Sequence, residues 1–146
     1  MPTIRERLIG AWSLVSFESR LPDGRTSSPL GRGAQGHIVY SDNGIVSVNL
    51  SRGDRVAGGS GLFQFRSDDE IAAVARGYMA YSGHFEVDEE RAVARHHFEL
   101  CIDPALVGTL QERHVRFFED KLELSVKNAS EVNGVGNPST LVWQRV

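Results

Sequence analysis

The chain has 146 residues, of which 40% are hydrophobic and 24% charged, with a formal net charge of -3. That is the size and balance of one soluble globular domain with a core of its own. Arg and Lys are spread along the chain, which gives no footprint for nucleic acid or an anionic membrane, and the lone Cys101 excludes an internal disulfide.

Residues 1–8 carry Arg5, Glu6 and Arg7 and no apolar h-region, so no signal peptide is expected. No stretch is long enough to cross a bilayer. The expected location is cytoplasmic. The first strand is expected over 12–19, where Trp12, Leu14, Ser16 and Glu18 alternate with Ser13, Val15, Phe17 and Ser19. Pro22-Asp23-Gly24 marks a turn, and 26–34 reads as an irregular loop. Strands over 36–41 and 45–51 flank Asp42-Asn43-Gly44, the clearest hairpin signal in the chain.

The stretch 52–61 is polar and glycine-rich. Over 67–80 the period changes, with Ile71, Val74, Ala75 and Tyr78 at helical spacing. Ser67 and Glu70 fit a capping box, so one short helix is expected there, placed as a lid over one end. Strands then return over 81–87, 92–102, 111–118, 121–127 and 140–146, with a loop over 130–139. The fold class is therefore mainly β: a closed antiparallel barrel of about eight strands, in one domain spanning 1–146. Eight strands is the size at which a barrel can hold one small ligand.

Two ends of the chain sharpen this. Gly10-Ala11-Trp12 opens the first strand, and Leu141-Val142-Trp143-Gln144-Arg145 forms the last. Further segments are Gly36-His37-Ile38-Val39-Tyr40, Tyr81-Ser82-Gly83-His84-Phe85, Arg95-His96-His97 and Gly108-Thr109-Leu110-Gln111-Glu112-Arg113. In order and spacing the chain resembles the lipocalin-like domain family, a calycin-type barrel, nearly end to end. The resemblance implies a barrel with an internal pocket, Trp12 across its floor and Arg145 packed on the indole. It implies little about chemistry.

Strand parity names a candidate interior. With Trp12 inside, Leu14, Ser16 and Glu18 follow. On 92–102 the inward set is Ala94, His96, Phe98, Leu100 and Ile102, with Cys101 outside. Tyr81, Gly83, Phe85 and Val87 form another inner face. So do Val46, Val48 and Leu50, then Arg113, Val115 and Phe117, then Leu122, Leu124 and Val126. Tyr40 is favoured inward on its strand. The expected ligand site is Tyr40, Tyr81, His96 and Arg113 among the apolar walls Phe85, Phe98, Val48, Phe117 and Leu14. Apolar walls with a few polar groups are what a small-molecule site needs.

His96 is the natural acid–base candidate, because its ordinary pKa lies near neutrality. The alternative is a core histidine bonded to a backbone carbonyl or to Tyr81. Arg113 reads either as a carboxylate- or enolate-binding group or as the partner of Glu18 or another internal acid. Tyr40 and Tyr81 could donate to a ligand carbonyl, or be core residues whose hydroxyls reach a rim. His96 and His97 are adjacent on a strand and point to opposite faces, so no metal site is expected, and no cofactor is. Gly31-Arg32-Gly33-Ala34-Gln35-Gly36 precedes a strand and lacks a Lys-Ser/Thr ending, which rules out a phosphate loop. Asn128-Ala129-Ser130 fits a glycosylation sequon but has no expected secretory route.

Two functions fit. The first is a protein that binds a small apolar or aromatic molecule in the cavity. The second is a cofactor-independent cyclase, isomerase or dehydratase of secondary metabolism, with His96 moving a proton and Arg113 and Tyr40 or Tyr81 stabilising an oxyanion. A homodimer stays open.

Overall fold

A computed structural model describes residues 1–55, 61–62, 65–126 and 138–146. The glycine-rich stretch 58–60, the strand end at Lys127, the Asn128 sequon and most of the loop 130–139 lie outside the described residues. The elements in chain order are α1 (Ile4–Leu8), β1 (Gly10–Arg20), β2 (Thr26–Ser27), β3 (Gln35–Tyr40), β4 (Ile45–Ser51), α2 (Asp68–Arg76), β5 (Tyr78–Asp88) and β6 (Val93–His97). There follow β7 (Leu100–Cys101), a 3₁₀ turn at Pro104–Leu106, β8 (Leu110–Phe118), β9 (Lys121–Val126) and β10 (Ser139–Arg145).

The strands pair in the order β1-β3-β4-β5-β6-β8-β9-β10, each antiparallel to the next, and β10 returns to β1. Eight strands thus close on themselves, which leaves the barrel wall without a free edge. The two short strands are additions: β2 pairs with the end of β1, and β7 with β5. The pattern that builds the wall is plain on β4, where Val46, Val48 and Leu50 are buried and Asn49 is exposed. Ile38 and Tyr40 face in beside them from β3, each 1% exposed.

Two breaks in strand register revise the inward set. On β1, Leu14 pairs with Trp143 and Ser16 with Val142, so Val15 is an inserted residue. An insertion reverses every later side chain. Ser16 and Glu18 therefore leave the interior, and Phe17 and Ser19 enter it. Glu18 is exposed, while Ser19 is buried with its hydroxyl 2.8 Å from that of Ser139.

The second break divides the expected strand 92–102. Phe85 pairs with His96, but Tyr81 pairs with Cys101, a shift of one residue across Phe98-Glu99. Phe98 stays fully buried. Leu100 and Ile102 turn outward, at 71% and 45% exposed, and Cys101 packs against the core instead of facing out. Gly83 makes this seam possible: a Cβ there would stand 1.8 Å from the His97 carbonyl oxygen.

The helix is shorter than its periodicity suggests. The Ser67 hydroxyl accepts from Glu70 N–H and caps α2, but the helix ends at Arg76. Tyr78–Ala80, expected as its last turn, begins β5 and pairs with β4. A first helix, α1, was not anticipated. Its signal is Thr3-x-x-Glu6, which forms a complete capping box.

Candidate functional site

The floor forms first from the sequence. Trp12 is 3% exposed, and its indole N–H donates to the Leu8 carbonyl at 2.9 Å. Arg145 lies 4.1 Å over the Trp12 ring and donates to the carbonyls of Ile9 and Arg7. Gly10 leaves it room, since a Cβ there would stand 2.7 Å from Arg145 Nη1. Arg7 in turn lies 3.9 Å over Phe117.

Above this floor is a cavity of about 490 Å³. Phe17, Ile38, Val48, Leu50, Leu124 and Leu141 supply much of its apolar wall, and exposed Ser28 and Arg76 stand at its mouth. Its buried polar lining consists of Tyr81, Arg113 and Trp143, at 8%, 6% and 1% exposed. Among the described residues, two arginines and no Asp or Glu line this cavity.

The structure brings Tyr40, Tyr81, His96 and Arg113 together but not all onto the cavity surface. Tyr81 and Arg113 line the cavity, as does Val48. His96, fully buried, lies behind Tyr81, whose hydroxyl is 2.8 Å from Nδ1. Tyr40 lies behind His96, its hydroxyl 2.8 Å from Nε2. Phe98 stacks on Tyr81 with ring centroids 3.7 Å apart, and Phe85 meets Tyr40 edge-on at 4.9 Å. These two rings brace the polar chain from outside the cavity lining. Leu14 packs partly buried against the core, and Phe117 belongs to the floor, 6.3 Å from Trp12.

The proton order in this chain follows from what each group can do. Burial, helped by the Arg113 charge, holds the His96 pKa well below 6.5, so the ring is neutral and has one N–H. Burial raises the Tyr40 hydroxyl well above its ordinary value, with Tyr81 adding to the rise and Arg113 opposing it. Burial also raises Tyr81, against the pull of the Arg113 charge and of a hydrogen bond from its guanidinium. Both tyrosines therefore keep their protons at neutral pH.

Tyr40 is 1% exposed, and among the described residues its hydroxyl meets only His96. A buried O–H needs an acceptor. Tyr40 thus donates to Nε2, which places the ring proton on Nδ1, directed at the Tyr81 oxygen. Tyr81 accepts there, and its own hydrogen remains for the cavity.

Arg113 was expected either to meet a ligand or to pair with Glu18 or another internal acid. Glu18 is outside, and among the described residues no carboxylate forms an ion pair with Arg113. Its Nη1 donates to the Glu112 carbonyl at 3.1 Å. Trp143 was read only as part of the closing motif. Its indole N–H is buried without a hydrogen-bond partner among the described residues. The clue lay in its place two residues from Leu141, on the apolar face of the last strand.

The remaining histidine pairs face outward. His97 meets Glu86 at 2.6 Å, and His84 meets Glu99 at 2.5 Å, where hydrogen bonds from His84 hold the Glu99 carboxyl below its usual range. Among the described residues no group of three His, Cys, Asp or Glu side chains gathers as a metal site. No helix there is long and apolar enough to cross a membrane.

Comparison with known proteins agrees with this architecture. The chain is 36% identical over 86 residues to the 4'-hydroxy-3'-methoxypropiophenone carrier protein of Aspergillus oryzae, a match that covers 55% of this chain and 78% of the relative. The model of the lipocalin-like domain matches residues 9–146, which takes in every barrel strand, and the chain belongs to that family.

Proposed function

We propose that this protein binds and carries a small apolar or aromatic molecule inside the barrel. The observation that carries the reading is the cavity itself: about 490 Å³, walled by apolar side chains, with the buried polar side chains Tyr81 and Arg113 in its lining. That volume suits a ligand of one or two rings. Apolar contact supplies affinity, and Tyr81 and Arg113 orient the ligand. The Aspergillus oryzae relative is named as a carrier of an aryl ketone, which supports the same class of ligand here.

The placement of His96 favours carriage over catalysis. It reaches the cavity only through the Tyr81 hydroxyl, and burial disfavours its charged form. A cyclase, isomerase or dehydratase would have to relay its proton through the Tyr81 hydroxyl from a ring whose charged form burial disfavours.

Titration with 4'-hydroxy-3'-methoxypropiophenone and with the neutral dye N-phenyl-1-naphthylamine, followed by tryptophan quenching, tests this reading. Saturable binding of at least one compound at one site is expected, with loss of at least tenfold in affinity in Val48→Trp, which fills the cavity. Binding unchanged by that substitution would place the site elsewhere. Conversion of the ketone to a new product would favour the enzyme.

A further inference from the structure

We propose that the cavity takes its ligand as an oxyanion: an aromatic or apolar molecule whose ionised phenol, enol or carboxyl oxygen is met by Arg113 and the Tyr81 hydroxyl. This rests on the binding reading above and adds the charge state of the bound molecule.

The buried polar groups that the lining offers a ligand are both donors. Arg113 has no acceptor atom. Tyr81 could act either way, but the chain from Tyr40 through His96 fixes it. Nδ1–H occupies its oxygen, and its hydrogen is left to give. The Trp143 ring lines the cavity, but its N–H is buried beneath the surface and offers the ligand no donor. A guanidinium and a hydroxyl facing one ligand, both as donors, call for an oxygen with several lone pairs.

The charge of Arg113 decides between a neutral acceptor and an anion. Among the described residues no carboxylate pairs with it or lines the cavity, and exposed Arg76 at the mouth adds a second positive charge. A neutral apolar ligand would displace water from the guanidinium and leave the charge in a low dielectric, which is strongly unfavourable. An anion removes that penalty and forms charge-assisted hydrogen bonds. The wall therefore discriminates by ionisation as well as by shape, although the chain as a whole carries a net charge of -3.

The test uses two matched pairs of probes. One is 4'-hydroxy-3'-methoxypropiophenone and its 4'-O-methyl ether; the other is 4-methoxybenzoate and its methyl ester. Each pair differs in its acidic oxygen and little else. In at least one pair the acid is expected to bind at least tenfold more tightly than its neutral partner. The pair that shows the preference identifies phenolate or carboxylate as the source. If the phenol pair responds, the bound phenol is expected to show the red-shifted absorbance of its phenolate at a pH two units below its own pKa.

Arg113→Gln is expected to abolish the preference and Arg113→Lys to retain part of it, with thermal unfolding used to verify that each variant is folded. Equal binding within both pairs, or a preference that survives Arg113→Gln, overturns the inference and leaves the binding reading standing. Failure of all four probes, together with N-phenyl-1-naphthylamine, to bind wild type would remove both.

Discussion

The floor sets Trp12 against Arg145, the cavity wall holds Trp143 and the buried Arg113, and the barrel treats the two sets in opposite ways. At the floor, Trp12 N–H has the Leu8 carbonyl, and Arg145 has two carbonyls and an aromatic face. In the wall, Trp143 N–H has no acceptor and Arg113 no carboxylate among the described residues. The contrast is local, since Trp143 pairs across the sheet with Leu14, two residues from Trp12. The same residue types stabilise the fold where their polar groups are satisfied, and in the cavity wall they leave an indole N–H without a partner among the described residues and Arg113 in a candidate binding surface.

Truncating the floor is expected to have the largest effect. Trp12→Ala should destabilise by about 3–5 kcal/mol in urea unfolding, as loss of a large buried aromatic does. A cost near zero would show that Trp12 does not anchor the floor.

The two arginines should respond with opposite signs. Arg145→Met is expected to cost about 1–2 kcal/mol, from lost hydrogen bonds and the ring contact. Arg113→Met is expected to leave the free protein unchanged or more stable, by about 1–3 kcal/mol, because it removes a buried charge without an ionic partner among the described residues. Equal destabilisation by both would erase the contrast.

Acid probes the chain behind the wall. His96 binds its proton more weakly in the folded protein than in the unfolded chain, so between about pH 6.5 and its lower folded value the unfolded state holds more protons. Its contribution is fully present above about pH 6.5 and is lost as the pH falls below that. Stability should then decline by at most about 1.4 kcal/mol per pH unit from this group. In His96→Gln the decline should be shallower, and an identical slope in the two proteins would assign the acid sensitivity to other groups.

The smallest difference lies between the tryptophans as donors. Trp12→Phe orphans the Leu8 carbonyl, whereas Trp143→Phe leaves no broken hydrogen bond among the described residues. The first should cost about 1 kcal/mol more than the second. Paired denaturation curves measure it, and a reversed order would mean that the Trp143 N–H is satisfied in solution.

Much of this was legible in the sequence because a strand repeats every two residues. Parity placed Val46, Val48 and Leu50 inside, set Tyr81 in line with Phe85, and put Arg113 on the face of Val115. It failed wherever one residue was inserted. Val15 reversed Ser16 and Glu18, and the step at Phe98-Glu99 reversed Leu100, Cys101 and Ile102. An insertion leaves no mark in composition, so parity is trustworthy only between breaks. The layering was also hidden. Sequence grouped His96 and Tyr40 with Tyr81, but only packing shows that they stand behind it and set the direction of its hydroxyl. Trp143 escaped notice because a family motif had already accounted for it.

The closing seam between β1 and β10 has a consequence for how the chain is made. Trp12 pairs with Arg145, and Ser19 with Ser139, so the first strand of the wall joins the last of the wall strands to be synthesised. Until then β1 has β3 on one side and an unpaired edge on the other. Such distant pairings slow folding, and an open edge invites other chains. The exposed β1 edge of the growing polypeptide is therefore where a chaperone would do the most good, and where a ribosome stalled before residue 139 would leave an aggregation-prone product.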